Sequence, residues 1–240
     1  MTRPPAAAPR LSDTAAVSHT SSACRIELAG EAIYLLPERA LWWPAANTLF
    51  VADLHLGKAA SFRALGQPVP GGTTHQNLAR LDRLIACHAP REIVFLGDFL
   101  HAAQGRTATL LAALQSWRER HAALRCMLVR GNHDQRAGDP EFALRIEVVD
   151  EPNLRGPFAA CHHPQGHATH FVLAGHLHPA CMLHGRGRDR LRLPCFVRDE
   201  AQLILPAFGE FTGGWHVKPA PGRRFYAVGG DRVWPLPVRV

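Results

Sequence analysis

The chain has 240 residues, 47% of them hydrophobic and 20% charged, with 27 Lys and Arg against 20 Asp and Glu for a formal net charge of +7. That balance excludes a chain too polar to bury a core, and no apolar run approaches the roughly 20 residues that span a bilayer, so no membrane partner is expected. The positive excess suits a polyanion, of which nucleic acid is the commonest soluble kind.

Residues 1–22, rich in Ala, Pro, Ser and Thr with no compact apolar stretch, read as a disordered tail and not as a signal peptide. Residues 23–240 read as a single catalytic domain. Cys24, Cys87, Cys126, Cys161, Cys181 and Cys195 show no CxxC spacing, which fits reduced thiols in a cytoplasmic protein. Short strands are expected at 25–28, 32–36 and 40–43, at the edge of a sheet. The apolar strand 48–52 follows, and Asp53-Leu54-His55 begins at its end. Leu78, Leu81, Leu84 and Ile85 have helical spacing, and the strand 93–96 then runs into Gly97-Asp98. Leu110, Leu111, Leu114 and Trp117 mark a second helix, before the strand 124–129 and Gly131-Asn132-His133-Asp134. Three successive strands thus end in polar, ligand-type residues, a β-α-β-α-β layout with one functional edge. Beyond Arg145 short β segments dominate, at 146–149, 158–161, 170–173, 181–183, 203–205 and 225–228, and supply a second sheet. The expected class is α/β (α+β), a β-sandwich of two sheets flanked by helices.

Two further clusters lie in that second half, Cys161-His162-His163 and Gly175-His176-Leu177-His178. Asp53 and His55 are two residues apart, so both side chains can grip one ion, and His176 and His178 repeat the spacing. Asp98 is an acidic donor able to bridge two cations, while Asn132 offers a neutral carbonyl oxygen. Imidazole mixed with carboxylate and amide suits Mn, Fe, Zn or Ni better than Ca or Mg.

The series DxH, GD, GNHD, H and GHxH resembles the calcineurin-like metallophosphoesterases from about Thr48 to Pro179. That resemblance implies the four-layer metallophosphoesterase sandwich of two mixed sheets. It implies that Asp53, His55 and His178 hold a first metal, that Asp98 bridges, and that Asn132, His162 and His176 hold a second. His162 is chosen over His163 because it directly follows the apolar strand, as the corresponding histidine does in the family. Asp53-Leu54-His55-Leu56-Gly57-Lys58 with Phe62-Arg63, Gly97-Asp98-Phe99-Leu100-His101, and the segment from Leu205 to Gly214 resemble the bacterial ligase-associated DNA-damage-response endonucleases of the PdeM group. The implied activity is a dinuclear-metal phosphodiesterase, a DNA endonuclease tied to ligase-dependent repair, with Mn2+ as the expected metal and a DNA ligase or helicase as possible partners.

Two cations about 3.5–4 Å apart activate a water and clamp a phosphoester. His133 is the natural proton donor to the leaving oxygen, with Asp134 orienting it. In double-strand-break repair nucleases of the superfamily a second histidine lies three residues beyond the bridging Asp, and His101 stands at that offset here. Arg186, Arg188, Arg190 and Arg192 alternate and, on a hairpin, would present one cationic face to successive phosphates. Arg63, Arg130 and Arg136 flank other motifs, and Phe62 and His163 are candidates to touch a sugar or base. Trp42-Trp43 reads as packing, and the glycines from Phe208 to Gly214 as a tight loop. Two other readings compete. One keeps the chemistry on a small nucleotide or other small phosphoester; the other is a non-catalytic scaffold for a repair partner.

Overall fold

Nearly every side chain of the five apolar segments that precede the candidate ligand clusters is withdrawn from water, and this sets the architecture. The computed structural model describes residues 22–69, 72–185 and 188–237. The expected tail, apart from Ser22, and Arg186 lie outside the described residues. The first sheet runs in chain order through β1 (Cys24–Leu28), β2 (Glu31–Leu35), β3 (Ala40–Trp43), β4 (Thr48–Val51), β5 (Glu92–Leu96), β6 (Arg125–Val129) and β7 (Ile146–Val149). Its first four strands are antiparallel neighbours, and β4 through β7 run parallel. β4 and β5 are buried along their whole length, as a parallel sheet covered on both faces requires.

Four α-helices occur among the described residues: α1 (Lys58–Ala64), α2 (Thr73–His88), α3 (Ala108–Arg120) and α4 (Asn132–Ala137). The apolar periodicity marked α2 and α3. Leu78, Leu81 and Leu84 of α2 and Leu110, Leu114 and Trp117 of α3 pack with Leu49, Ile93, Phe95 and Leu128 of the sheet in one core. The Thr107 hydroxyl caps α3 by accepting from Leu110 N at 3.2 Å, satisfying one of the amides a helix start leaves open. α1 starts just beyond the first cluster, α4 begins within the third, and both are too short to show a period.

The second sheet is built from β8 (Asn153–Arg155), β9 (Phe158–Ala160), β10 (Phe171–Ala174), β11 (Pro179–His184), β12 (Arg190–Arg198), β13 (Gln202–Ile204), β14 (Trp215–His216), β15 (Arg224–Gly229) and β16 (Arg232–Pro235). β9, β10 and β13 are parallel neighbours, while β12 pairs antiparallel with β11, β13 and β15. Both sheets are therefore mixed. Phe50, Val94 and Leu96 of the first sheet meet Phe158, Leu173, Phe196 and Leu203 of the second in the core between them. Trp43 belongs to that core, with its indole N–H on Glu31 at 2.9 Å and its ring edge-on to Phe158. No helix among the described residues is long and apolar enough to cross a membrane.

Candidate metal centre

β4, β5 and β6 end side by side, and β9 and β10 of the other sheet end against them, so all five clusters converge on one edge of the sandwich. The chain turns sharply there. Asp53 (φ 54°), His55 (φ 46°), Asp98 (φ 50°), His176 (φ 68°) and His178 (φ 46°) all hold left-handed backbone. That conformation costs an L-residue roughly 1–2 kcal/mol, and such residues gather where a site demands the geometry. Hydrogen bonds across the strand ends hold the turns: Asp53 N donates to Gly97 O at 3.2 Å, His55 N to Asp98 O at 2.8 Å, and His101 N to Leu56 O at 3.0 Å. Gly97 and Gly131 are required by close approach. A Cβ on Gly97 would overlap the His162 ring, and one on Gly131 would overlap the Asp98 carboxylate.

Asp98, 2% exposed, stands between two sets of donors. Its Oδ2 lies 3.6 Å from His55 Nε2, while its Oδ1 lies 3.4 Å from His162 Nε2 and accepts from His133 N at 2.9 Å. On the first side His55 Nε2 is 3.1 Å from His178 Nε2, which is 3.5 Å from Asp53 Oδ1. On the second side His162 Nε2 is 3.0 Å from Asn132 Oδ1 and 3.1 Å from His176 Nδ1. Donors bound about 2.1 Å from a common ion sit about 3.0–3.4 Å apart at octahedral or tetrahedral angles. The observed spacings match, and the donor set is the mixed imidazole, carboxylate and amide kind that divalent transition ions take. The residues present fit a metal.

Electrostatics and hydrogen bonds favour the ligand forms. Burial first, then the neighbouring His178, Lys58, His133 and His101, pushes the His55 pKa far down, so its imidazole stays neutral. Burial, with His162 and His163, lowers His176 as well. His162, fully buried, donates from Nδ1 to Leu96 O at 3.0 Å, which leaves Nε2 as the lone pair facing Asn132 and His176. His163 instead points Nδ1 at Glu151 Oε1, 2.6 Å away. Glu151 Oε2 also accepts from His162 N at 2.6 Å and His163 N at 2.9 Å. Burial pushes Glu151 up, but these donors outweigh it and hold the carboxyl below its usual range.

A third histidine group, His55, His101 and His133, lies beside Asp98. His101 and His133 stack at 4.8 Å, and His133 Nδ1 donates to His101 O at 2.7 Å, which exposes Nε2 as the working nitrogen. Burial, then Lys58 and His133, holds the His101 pKa down at about 4. The expected Asp134 contact to the His133 ring is corrected: Asp134 accepts from Leu100 N at 2.9 Å and Gly131 N at 3.0 Å, tying the second and third clusters together. Burial raises its pKa to about 6, which those two amides only partly offset.

The arginines divide. Arg190 and Arg192 are exposed on β12, which pairs with β11 as a hairpin and not as a loose loop, and Arg188 is exposed in the turn. Arg192 lines a cavity of about 220 Å³ together with His178, Arg39, Glu210 and Gly213. Arg130 is not brought to the centre as a free cation; its guanidinium is held by Asp139 at 2.8 and 2.9 Å and by Asp150. Arg63 is exposed on α1 and lines a separate cavity with Gly57, Thr74 and Thr107, and Arg136 is exposed on α4. Phe62 stacks on His101 at 6.0 Å. The sequence reading missed Glu151, Lys58 and the lock on the 206–214 segment. That lock runs through buried Arg80, which donates to Phe208 O and, at 2.7 Å, to Glu210, and whose guanidinium covers the Phe208 ring. Gly209 N in turn donates to Asp53 O at 3.1 Å, and Trp215 N, just past the segment, to His178 O at 2.9 Å, so this stretch of chain braces two of the turns.

Comparison with known proteins places these features in context. The family model described as calcineurin-like phosphoesterase matches residues 46–178, a span that holds every histidine, carboxylate and amide of the cluster. The crystal structure of Pseudomonas putida nuclease MPE is 52% identical, with a TM-score of 0.80, covering 89% of this chain and 100% of that chain. Yfce, a phosphoesterase from E. coli, is 15% identical with a TM-score of 0.40, over 80% of this chain and 99% of that chain. No match was found among curated proteins.

Proposed function

This chain belongs to the calcineurin-like phosphoesterase family and is a metal-dependent phosphoesterase, and we propose that it uses two divalent ions to cleave phosphodiester bonds in DNA. The observation that carries the reading is the double-sided Asp98 carboxylate, each oxygen turned toward its own set of donors. Asp53, His55 and His178 would hold one ion and Asn132, His162 and His176 the other, with Asp98 shared. When bound, such a pair polarises the phosphoryl oxygens and acidifies a water. His133 gives the leaving oxygen a proton from Nε2, oriented by its Nδ1 bond to the His101 carbonyl. His101, stacked on that ring and held neutral by burial, is positioned to donate to the same phosphate.

DNA is favoured over a small phosphoester by the net charge of +7 and by the exposed Arg192, which shares a cavity with His178, with Arg190 and Arg188 exposed farther along the same hairpin. The Pseudomonas putida relative is a nuclease, which supports a nucleic acid as the substrate. Mn2+ as the native metal, a cytoplasmic setting, a place in ligase-dependent repair and contact with a ligase or helicase belong to this reading through the family resemblance. The test is direct. Protein loaded in turn with Mn, Ni, Zn and Mg is assayed on single-stranded, duplex and nicked DNA and on a small aryl diester. Activity on DNA that disappears in Asp98→Asn supports the reading; an Asp98→Asn protein as active as the wild type refutes it.

A further inference from the structure

From the phosphate-reacting histidines runs a ladder of rings whose outer members, Phe62 and Phe211, the hydrolytic chemistry does not use. His133 stacks on His101 with 20° between planes, and Phe62 stacks on His101 at 6.0 Å and 26°. Phe211 meets Phe62 edge-on at 5.8 Å and 88°. The ladder therefore leads outward from the proposed proton donor and ends on Phe211, which is 36% exposed. Phe211 keeps about a third of its surface open to solvent on a turn that is held in place. This turn is rigid: Glu210 is held by Arg80 at 2.7 Å and by Asn77 at 3.2 Å, and Thr212 Oγ1 donates to Gly209 O at 2.7 Å. Lys58, half-buried at the start of α1, sets its Nζ 5.9 Å from the Phe62 ring and acts on the charges of His55, His101 and Asp98. A cation next to the reacting centre with an aromatic wall beyond it is the pairing by which proteins hold single-stranded nucleic acid, phosphate on the charge and base on the ring.

We propose that Lys58, Phe62 and Phe211 form a nucleotide subsite on the leaving-group side of the centre, with the base stacked on the Phe62–Phe211 wall and the phosphate on Lys58. This deepens the nuclease reading and rests on it. Stacking accepts any base, so the subsite gives a preference for nucleotides over other diesters without sequence choice. It also requires an unpaired base, since a base inside a duplex presents no free face.

The test compares thymidylyl-thymidine with two versions lacking one base each, at the 5′ or the 3′ nucleoside, using manganese-loaded protein. Wild type is expected to lose about 5- to 150-fold in kcat/KM for one of the two abasic versions, the range that single base–aromatic stacks give. In F211A that preference should shrink toward unity, and F211W should restore it. A metal-free arm reads binding alone: a dinucleotide carrying 2-aminopurine at the stacked position should be quenched by wild type and F211W more than by F211A. K58M should lower the slope of log affinity for single-stranded DNA against log salt by about one. A full base preference in F211A, or none in wild type, overturns the wall; an unchanged salt slope in K58M overturns the lysine's part. Wild type that hydrolyses a methyl aryl diester but no dinucleotide removes the nuclease reading itself, a different failure from loss of the subsite.

Discussion

Each candidate cluster is local in the sequence because a strand end and one to three donor side chains are contiguous, so Asp53, His55, Asp98, Asn132, His176 and His178 could be picked out as candidates from residue order alone. Glu151 could not. It reaches the His162 and His163 amides from the turn after β7, a contact set by how that turn folds and not by any motif. Its role is to fix the His162 backbone, so Glu151→Gln, which keeps shape and loses charge, should weaken metal binding by about 10- to 100-fold, the usual cost of losing an outer partner of a ligand. Equilibrium dialysis with Mn2+ reads this; unaltered affinity would show the His162 Nδ1 bond to Leu96 O to be sufficient alone. Arg130 illustrates the opposite error. Its position beside Gly131 suggested a phosphate contact, but Asp139 and Asp150, 9 and 20 residues away, come back to take it.

Among the elements, the strands that feed the centre were readable because continuous apolar runs have few alternatives, and α2 and α3 because their leucines recur at helical spacing. β12 was not, since alternating arginines at its start resemble a solvated loop until β11 pairs with it. The 206–214 segment was legible as a tight loop but not as a brace, because Arg80 and Phe208 are 128 residues apart. Removing that lock should be costly. Arg80→Met leaves Phe208 O and Glu210 without their donor and should destabilise the fold by about 2–4 kcal/mol, with activity falling as the Asp53 turn loosens. Urea denaturation beside kcat measures both; Arg80→Lys should recover only part, because an ammonium cannot make the forked contact. The turn after β12 is pinned differently. Asp199 accepts from Arg223 at 2.7 and 3.0 Å, and that hydrogen-bonded pairing holds its carboxyl below the usual carboxylate range. A depressed folded pKa means the contribution is complete above the unfolded value near 3.9 and disappears as pH falls through the folded one. Asp199→Asn should therefore cost about 1 kcal/mol at pH 7 and progressively less below pH 4, as thermal melts across that range would show.

For the molecule as a whole, the centre is a seam: Asp53, Asp98 and Asn132 come from the first sheet and His162, His176 and His178 from the second. The two halves meet only because Phe50, Val94 and Leu96 pack on Phe158, Leu173 and Phe196, so the site and the inter-sheet core form or fail together. Global charge acts on the substrate in another way. With a net +7, most of the attraction to DNA should be sequence-independent and lost to salt, so raising NaCl from 50 to 200 mM should weaken DNA cleavage steeply while barely touching a small aryl diester. Parallel salt dependence for both substrates would argue against a DNA-gripping surface. The brace at 206–214 also has a temporal consequence. During synthesis every ligand-bearing segment leaves the ribosome before Phe208, Gly209 and Trp215 exist, so the Asp53 and His178 turns wait, unclamped, for the closing residues. The Asp53 and His178 turns gain these two backbone bonds only once residues 208–215 have been made.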